Sequence, residues 1–148
     1  MHTKGISRIR VLASLLLLFT AAFSSGCWHK GLLTTHERLL ASVSKDYYNL
    51  LMWKYYERCA LFVAPSRRAQ FERFALRYKD RLNITGYEIK QITYSQDKKE
   101  AVVSLALSYY LYPSVTERTV FLSEKWIRDG NTWFVADPRY DEALGDKP

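Results

Sequence analysis

The sequence predicts an α+β domain: a long helix and a second helix packed on a curved, four-strand antiparallel sheet. Three observations carry that expectation. Apolar residues keep i, i+3, i+4 spacing from Thr34 to about Leu82. From Ile84 the period changes to alternation, over segments separated by polar turns. Asp129-Gly130-Asn131 then punctuates two Trp-containing segments as a tight turn would.

The chain opens on an export pattern. Lys4, Arg8 and Arg10 form a basic start, and Val11 to Phe23 is an uncharged run of 13 residues. That length suits a signal-peptide core and is short for a membrane span. A cytosolic amphipathic helix is disfavoured, because such a run has no polar face. Ser24-Ser25-Gly26 supplies small residues, and Cys27 follows. This ending resembles the lipobox of bacterial lipoproteins. The resemblance implies a signal peptide over 1–26, acylation of Cys27, and a short tether over 27–33. Ser24-x-Gly26 also fits ordinary secretion with cleavage at the same bond, and an uncleaved anchor is the third outcome. One acyl chain holds a membrane only marginally and two hold it stably; the lipoprotein route supplies several. Trp28 stands where an Asp favours inner-membrane retention in two-membraned bacteria. The resemblance therefore implies a lipid-anchored envelope protein, on the periplasmic face of the outer membrane where there is one.

Removing 1–26 leaves 122 residues, one domain by size and long enough for its own core. Of 22 basic residues three leave with the signal, so 19 face 15 acids, a net +4. Apart from Arg67-Arg68 the cations are scattered. Nucleic-acid binding, which wants a basic stripe, is not expected. A weak attraction to anionic head groups or wall polymers is. Cys59 sits among Met52, Tyr55, Tyr56, Phe62 and Val63 and reads as a buried small hydrophobe. A 27–59 disulfide remains open if Cys27 is not acylated. His29 and His36 have no Cys or carboxylate cluster beside them, so no metal or other cofactor is expected.

Trp28 to Leu33 is a spacer of about 20 Å at full extension. A first helix is expected from Thr34 to about Phe62, opened by the capping-box pattern Thr34-Thr35-His36-Glu37. Leu39, Leu40, Val43, Tyr47, Leu50, Leu51 and Lys54 keep the i, i+3, i+4 spacing of its stripe, and Tyr47, Tyr48, Trp53, Tyr55 and Tyr56 encircle it. Lys45, Asp46, Lys54, Glu57 and Arg58 exclude a second membrane span. Ala64-Pro65 ends it. Ser66 to Leu82 reads as an amphipathic surface helix with Phe71, Phe74, Ala75, Tyr78 and Leu82 inward.

Strands are expected over Ile84–Ser95, Glu100–Tyr112, Thr116–Arg128 and Thr132–Ala136. The first carries a bulge, because Tyr87/Ile89 and Ile92/Tyr94 differ in parity. In the second, Val103, Leu105, Leu107, Tyr109 and Leu111 share one face. The domain spans 34–137, and 138–148 reads as a polar, frayed tail.

This order, closing on Trp126-Ile127-Arg128-Asp129-Gly130-Asn131-Thr132-Trp133-Phe134-Val135, resembles the NTF2-like superfamily. The resemblance implies a cystatin-like α+β cone. Many members are secreted or lipid-anchored. Others are dehydratases and isomerases whose chemistry lies in the cone between helix and sheet. Such chemistry needs an acid or base in an apolar pocket. Glu124, in parity with Leu122 and Trp126, is the candidate. Tyr109 is placed to bond it or a ligand, and Tyr47 or Tyr55 to close the site. The bland alternative has Glu124 in solvent or paired with Arg118, with the tyrosines as core. No isomerase motif matches locally, both mature histidines lie near the tether, and the glycines are isolated. No catalytic set is therefore assigned. The expected function is non-catalytic binding of an envelope protein or polymer from a membrane anchor. The alternatives are a small-molecule binder or acid/base enzyme using the cone, and a homodimer through the outer sheet face at Tyr110 and Tyr112.

Overall fold

The computed structural model describes residues 34–145. The expectations for the signal peptide, Cys27 and the tether lie outside that range. The chain is α+β, with helices packed on a curved four-strand antiparallel sheet.

Helix α1 runs Thr35–Met52, about 27 Å long at the usual rise. The capping box forms as read. Glu37 N donates to Thr34 Oγ1 at 3.4 Å, and Thr34 N to Glu37 Oε2 at 2.5 Å. Lys98, from the turn at 96–99, donates to the same Glu37 at 3.0 Å. The Thr34 amide and then Lys98 hold this carboxyl below its ordinary pKa. The buried stripe is Leu40, Ser44, Tyr47, Tyr48 and Leu51. Ser44 is tolerated there because its hydroxyl bonds back to the Ala41 carbonyl.

The helix does not continue to Phe62. It ends at Met52, and the chain resumes as a single turn, α2, Tyr56–Cys59, then a 3-10 turn over Ala60–Phe62. Lys54 sits in the left-handed region at φ 60°. Tyr55 N bonds back to Leu50 O at 2.9 Å and Lys54 N to Leu51 O at 3.1 Å. That bond pair is a Schellman closure, usually built on glycine. Lysine there gives no sequence warning of the stop. A 3-10 turn over Pro65–Arg67 leads into helix α3, Arg68–Tyr78, shorter than the expected Ser66–Leu82.

The sheet is a meander of β1 Leu82–Tyr94, β2 Glu100–Leu111, β3 Arg118–Asp129 and β4 Thr132–Val135. The expected irregularity in β1 is present twice, at Ile84/Gly86 and Ile89/Gln91, and these shifts bend the strand. Leu82 belongs to β1 rather than to a helix. The loop into β3 includes a cis Tyr112–Pro113 peptide. Gly130 turns β3 into β4 at φ 56°.

The inner face of β2 is Ala101, Val103, Leu105, Leu107 and Tyr109, all buried, as the alternation predicts. Ring donors tie α1 down onto the sheet. Trp133 Nε1 donates to His36 O at 3.2 Å, Tyr94 to Glu37 O at 3.2 Å, and Tyr87 to Asn49 Oδ1 at 2.9 Å. Of the rings in the helix region, Tyr47 and Tyr48 are core, Tyr56 is part-buried, and Trp53 and Tyr55 are exposed.

The tail corrects the expectation most. Residues beyond Pro138 return to the domain, and α4, Tyr140–Ala143, buries Tyr140 and Leu144. A residue pair four apart puts both side chains on one face of a single turn. That face closes one end of the core. Among the described residues no helix is long and apolar enough to cross a membrane.

Candidate functional site

Glu124 lies on the inner face of β3 and is only 4% exposed. Strand parity places it there, between Leu122 and Trp126. Its Oε2 accepts a hydrogen bond from the Tyr48 hydroxyl at 2.5 Å, while Oε1 receives no direct bond. Burial pushes its pKa up to about 7; the Tyr140 and Tyr48 hydroxyls beside it offset part of that rise. The phenols of Tyr47, Tyr48 and Tyr140 are raised well above their ordinary value, first by burial and then by the carboxyl. The cluster therefore holds neutral phenols around one carboxyl that titrates near neutrality.

The surrounding volume is filled by rings. Tyr47 meets Trp126 edge-on at 5.6 Å and Tyr48 at 5.3 Å. Tyr47 also approaches Phe71 at 6.4 Å, and Phe74 approaches Tyr140 at 5.0 Å. The Tyr140 hydroxyl donates to the Tyr47 hydroxyl at 2.9 Å. A cleft of about 240 Å³ reaches Glu124 beside β3, bordered by Leu122, Ser123, Arg139 and Ala143.

Three of the five expected pocket residues, Tyr47, Glu124 and Trp126, are thus buried between helix and sheet. Two are not part of this cluster. Tyr55 is 56% exposed, because the left-handed Lys54 turns it off the helix face that would have carried it inward. Tyr109 is buried, but its hydroxyl reaches Leu144 O at 3.4 Å. It pairs with Arg118, whereas Glu124 pairs with Val103. Six residues of strand, about 20 Å, separate the two. Arg118 is equally far along the strand from Glu124, so that pairing is excluded too.

Sequence reasoning missed Tyr48 and Tyr140 as partners of the carboxyl. A signal for Tyr48 existed, since it lies eight residues after Leu40 and four after Ser44 on one stripe. The signal for Tyr140 was its spacing to Leu144. Cys59 is buried, and burial pushes its thiol up to about 12, away from the reactive thiolate. Among the described residues no three His, Cys, Asp or Glu side chains come together as a metal would require.

A second feature lies outside the core. The break after α1 leaves a groove of about 1180 Å³ between the 54–61 segment and α3. Phe71, Tyr56, Ala60 and Ala75 line it at depth; Tyr55, Leu61 and Leu76 stand exposed along it. Trp53 is exposed beside it. On the outer sheet face, serine and threonine pairs predominate: Ser104 with Ser123 at 3.3 Å and Ser108 with Thr119 at 3.2 Å. Phe121, 77% exposed, and Val102, 40% exposed, are apolar residues there. Of the two tyrosines expected on that face, Tyr110 is half-buried and Tyr112 lies exposed just beyond the end of β2.

No family model and no curated protein matches this chain. Among solved structures it is similar to the intermembrane space region of the chloroplast protein ARC6. The TM-score is 0.42 and the identity 14%, over 66% of this chain and 92% of that one. A likeness of that size has no bearing on function.

Proposed function

We propose that this chain is a lipid-anchored envelope protein of the bacterial lipoprotein type, with an NTF2-like domain that holds a protein or envelope component without catalysis. The observation that carries the reading is the filled cone. The space between helix and sheet, where an enzyme of this architecture would place substrate, is taken by the chain's own Tyr47, Trp126, Phe71 and Tyr140. The large apolar side chains left open at Trp53, Tyr55, Leu61 and Leu76 lie outside it. Surplus apolar surface of this kind marks a contact site for another molecule. The anchor rests on the residues from Lys4 to Cys27, and Trp28 favours the outer membrane of a two-membraned cell.

The test is fractionation with cross-linking. The Cys27→Ser chain is expected to leave the membrane fraction, and the acylated chain to bring down a defined envelope component after cross-linking in intact cells. A Cys27→Ser chain that stays on the membrane removes the lipid anchor. Cross-linked material no different from that of an unrelated lipoprotein removes the partner.

One observation favours a second reading, a small-molecule binder: the unbonded Oε1 of Glu124 and the cleft that reaches it. A small ligand retained by the purified chain and lost from Glu124→Gln would replace the first reading with this one.

A further inference from the structure

The groove between the 54–61 segment and α3 has a shape and charge that specify an occupant. We infer that it receives an amphipathic helix of a partner protein, with an apolar stripe flanked by acidic residues. The inference rests on the partner-binding reading above and names the chemistry of the partner.

Shape is the first argument. The groove is concave, and its depth comes from two small residues, Ala60 and Ala75, beside the buried ring of Phe71. Tyr55, 56% exposed, Leu61, 65%, and Leu76, 70%, rise along it. The wall formed by the 11 residues of α3 is about 16 Å long. A flat bilayer cannot reach the floor of such a groove. A rod about 10 Å across, with side chains at i, i+3, i+4 and i+7, can lay an apolar stripe into it.

Charge is the second. Lys54, Arg58, Arg68 and Lys79 line the groove against Glu57 and Glu72, a cationic excess of two. Acids flanking the stripe of the guest helix would meet this rim. Arg58 also sits 5.9 Å from the Tyr55 ring centre, so the rim offers the Tyr and Arg chemistry that concentrates binding energy at interfaces.

The backbone is the third. In a Schellman closure the residue after the left-handed position commonly packs its apolar side chain back on the helix. Here that residue is Tyr55, and it is turned out. The left-handed residue is a lysine, whose Nζ reaches Lys79 O at 3.2 Å and joins the two sides of the groove at one end.

The test is a peptide-display selection of random sequences of roughly 18 residues, five helical turns, on the full-length protein. The Leu76→Asp variant serves as counter-target. Leu76 is exposed, so this variant keeps the fold, and near-ultraviolet circular dichroism checks that it does. Recovered peptides are expected to read as acidic amphipathic helices. They should lose about ten-fold or more in affinity for Leu76→Asp, the effect of one buried leucine, and weaken on Arg58→Glu. They should bind Phe121→Asp, altered on the outer sheet face, as they bind the parent chain. Peptides that depend on Phe121 and not on Leu76 overturn the groove while leaving partner binding intact. Cationic or extended sequences, or none that separate parent from Leu76→Asp, overturn it as well. So does a lipid result, in which the Cys27→Ser chain binds phosphatidylglycerol-rich vesicles through Leu76 and no Leu76-dependent peptide is found. Loss of the partner-binding reading itself is seen separately, in the cross-linking of intact cells.

Discussion

At Glu124 a single buried carboxyl makes the stability of the fold depend on pH. Its carboxyl titrates at about 7 in the folded chain, against an ordinary value of 4.5. Between those values the folded state keeps a proton that the unfolded state has released. Stability therefore falls as pH rises across that window, and levels off above it. A shift of this size corresponds to about 3 kcal/mol. Glu124→Gln keeps an acceptor for Tyr48 and removes the charge. Urea unfolding is expected to show the Gln variant more stable than the parent at pH 8 by up to about 3 kcal/mol, and close to it at pH 5. Equal stability of the two proteins at pH 8 would show that the carboxyl is solvated rather than buried. The strand parity of Leu122, Glu124 and Trp126 was enough to place this residue inside. Its hydrogen-bond donor Tyr48 and its neighbour Tyr140 lie 76 and 16 residues away along the chain, and parity alone cannot choose among the tyrosines that face a core.

At the scale of elements, the break at Lys54 decides more than any other local event. Apolar spacing runs on through Tyr55, Tyr56 and Cys59, so periodicity alone extends the helix to Phe62. The structure stops it at Met52 and builds the groove from the 54–61 segment and α3. A left-handed non-glycine residue costs about 1–2 kcal/mol. Glycine removes that cost while adding up to about 1 kcal/mol of unfolded-state entropy. Lys54→Gly is thus expected to raise stability by about 0.5–1 kcal/mol, a rise of a few degrees in Tm. A fall in the thermal midpoint would mean that the Lys54 bond to Lys79 O outweighs the backbone strain. The strand elements were far more legible. Alternation along β2 and β3 set their buried faces, and their ends moved by at most two residues. The parity change in β1 announced the bulges that bend the sheet.

Among the described residues, the C-terminal segment closes one end of the domain core. Tyr140 and Leu144 are buried in the core, while Asp141 on the same turn makes an exposed ion pair with Arg77 at 3.5 Å. The two kinds of contact differ in weight. Tyr140→Ala removes a buried ring and is expected to cost about 3–5 kcal/mol, a large part of a domain's net stability. Asp141→Ala breaks a solvated pair and is expected to cost at most about 1 kcal/mol. Thermal unfolding of the two variants separates the cases. Similar midpoints for both would mean that the segment is not part of the cooperative unit. Cleavage before Pro138 would likewise open the ring cluster around Glu124 to water, so the segment belongs to the domain rather than to a tail.

The sequence by itself determined the class of fold, the order of its strands, the inward faces of β2 and β3, and the first-turn cap of α1. These depend on period and on near neighbours, which a sequence carries directly. Only the tertiary structure decided where α1 stops, that Tyr55 faces solvent, that Tyr109 and Glu124 stand apart, and that the last residues return to seal the core. Each of these depends on contacts between residues distant in the chain, or on a backbone conformation that lysine adopts only when its surroundings impose it. Burial in that assembled core is also what brings an ordinary glutamate to titrate near neutrality.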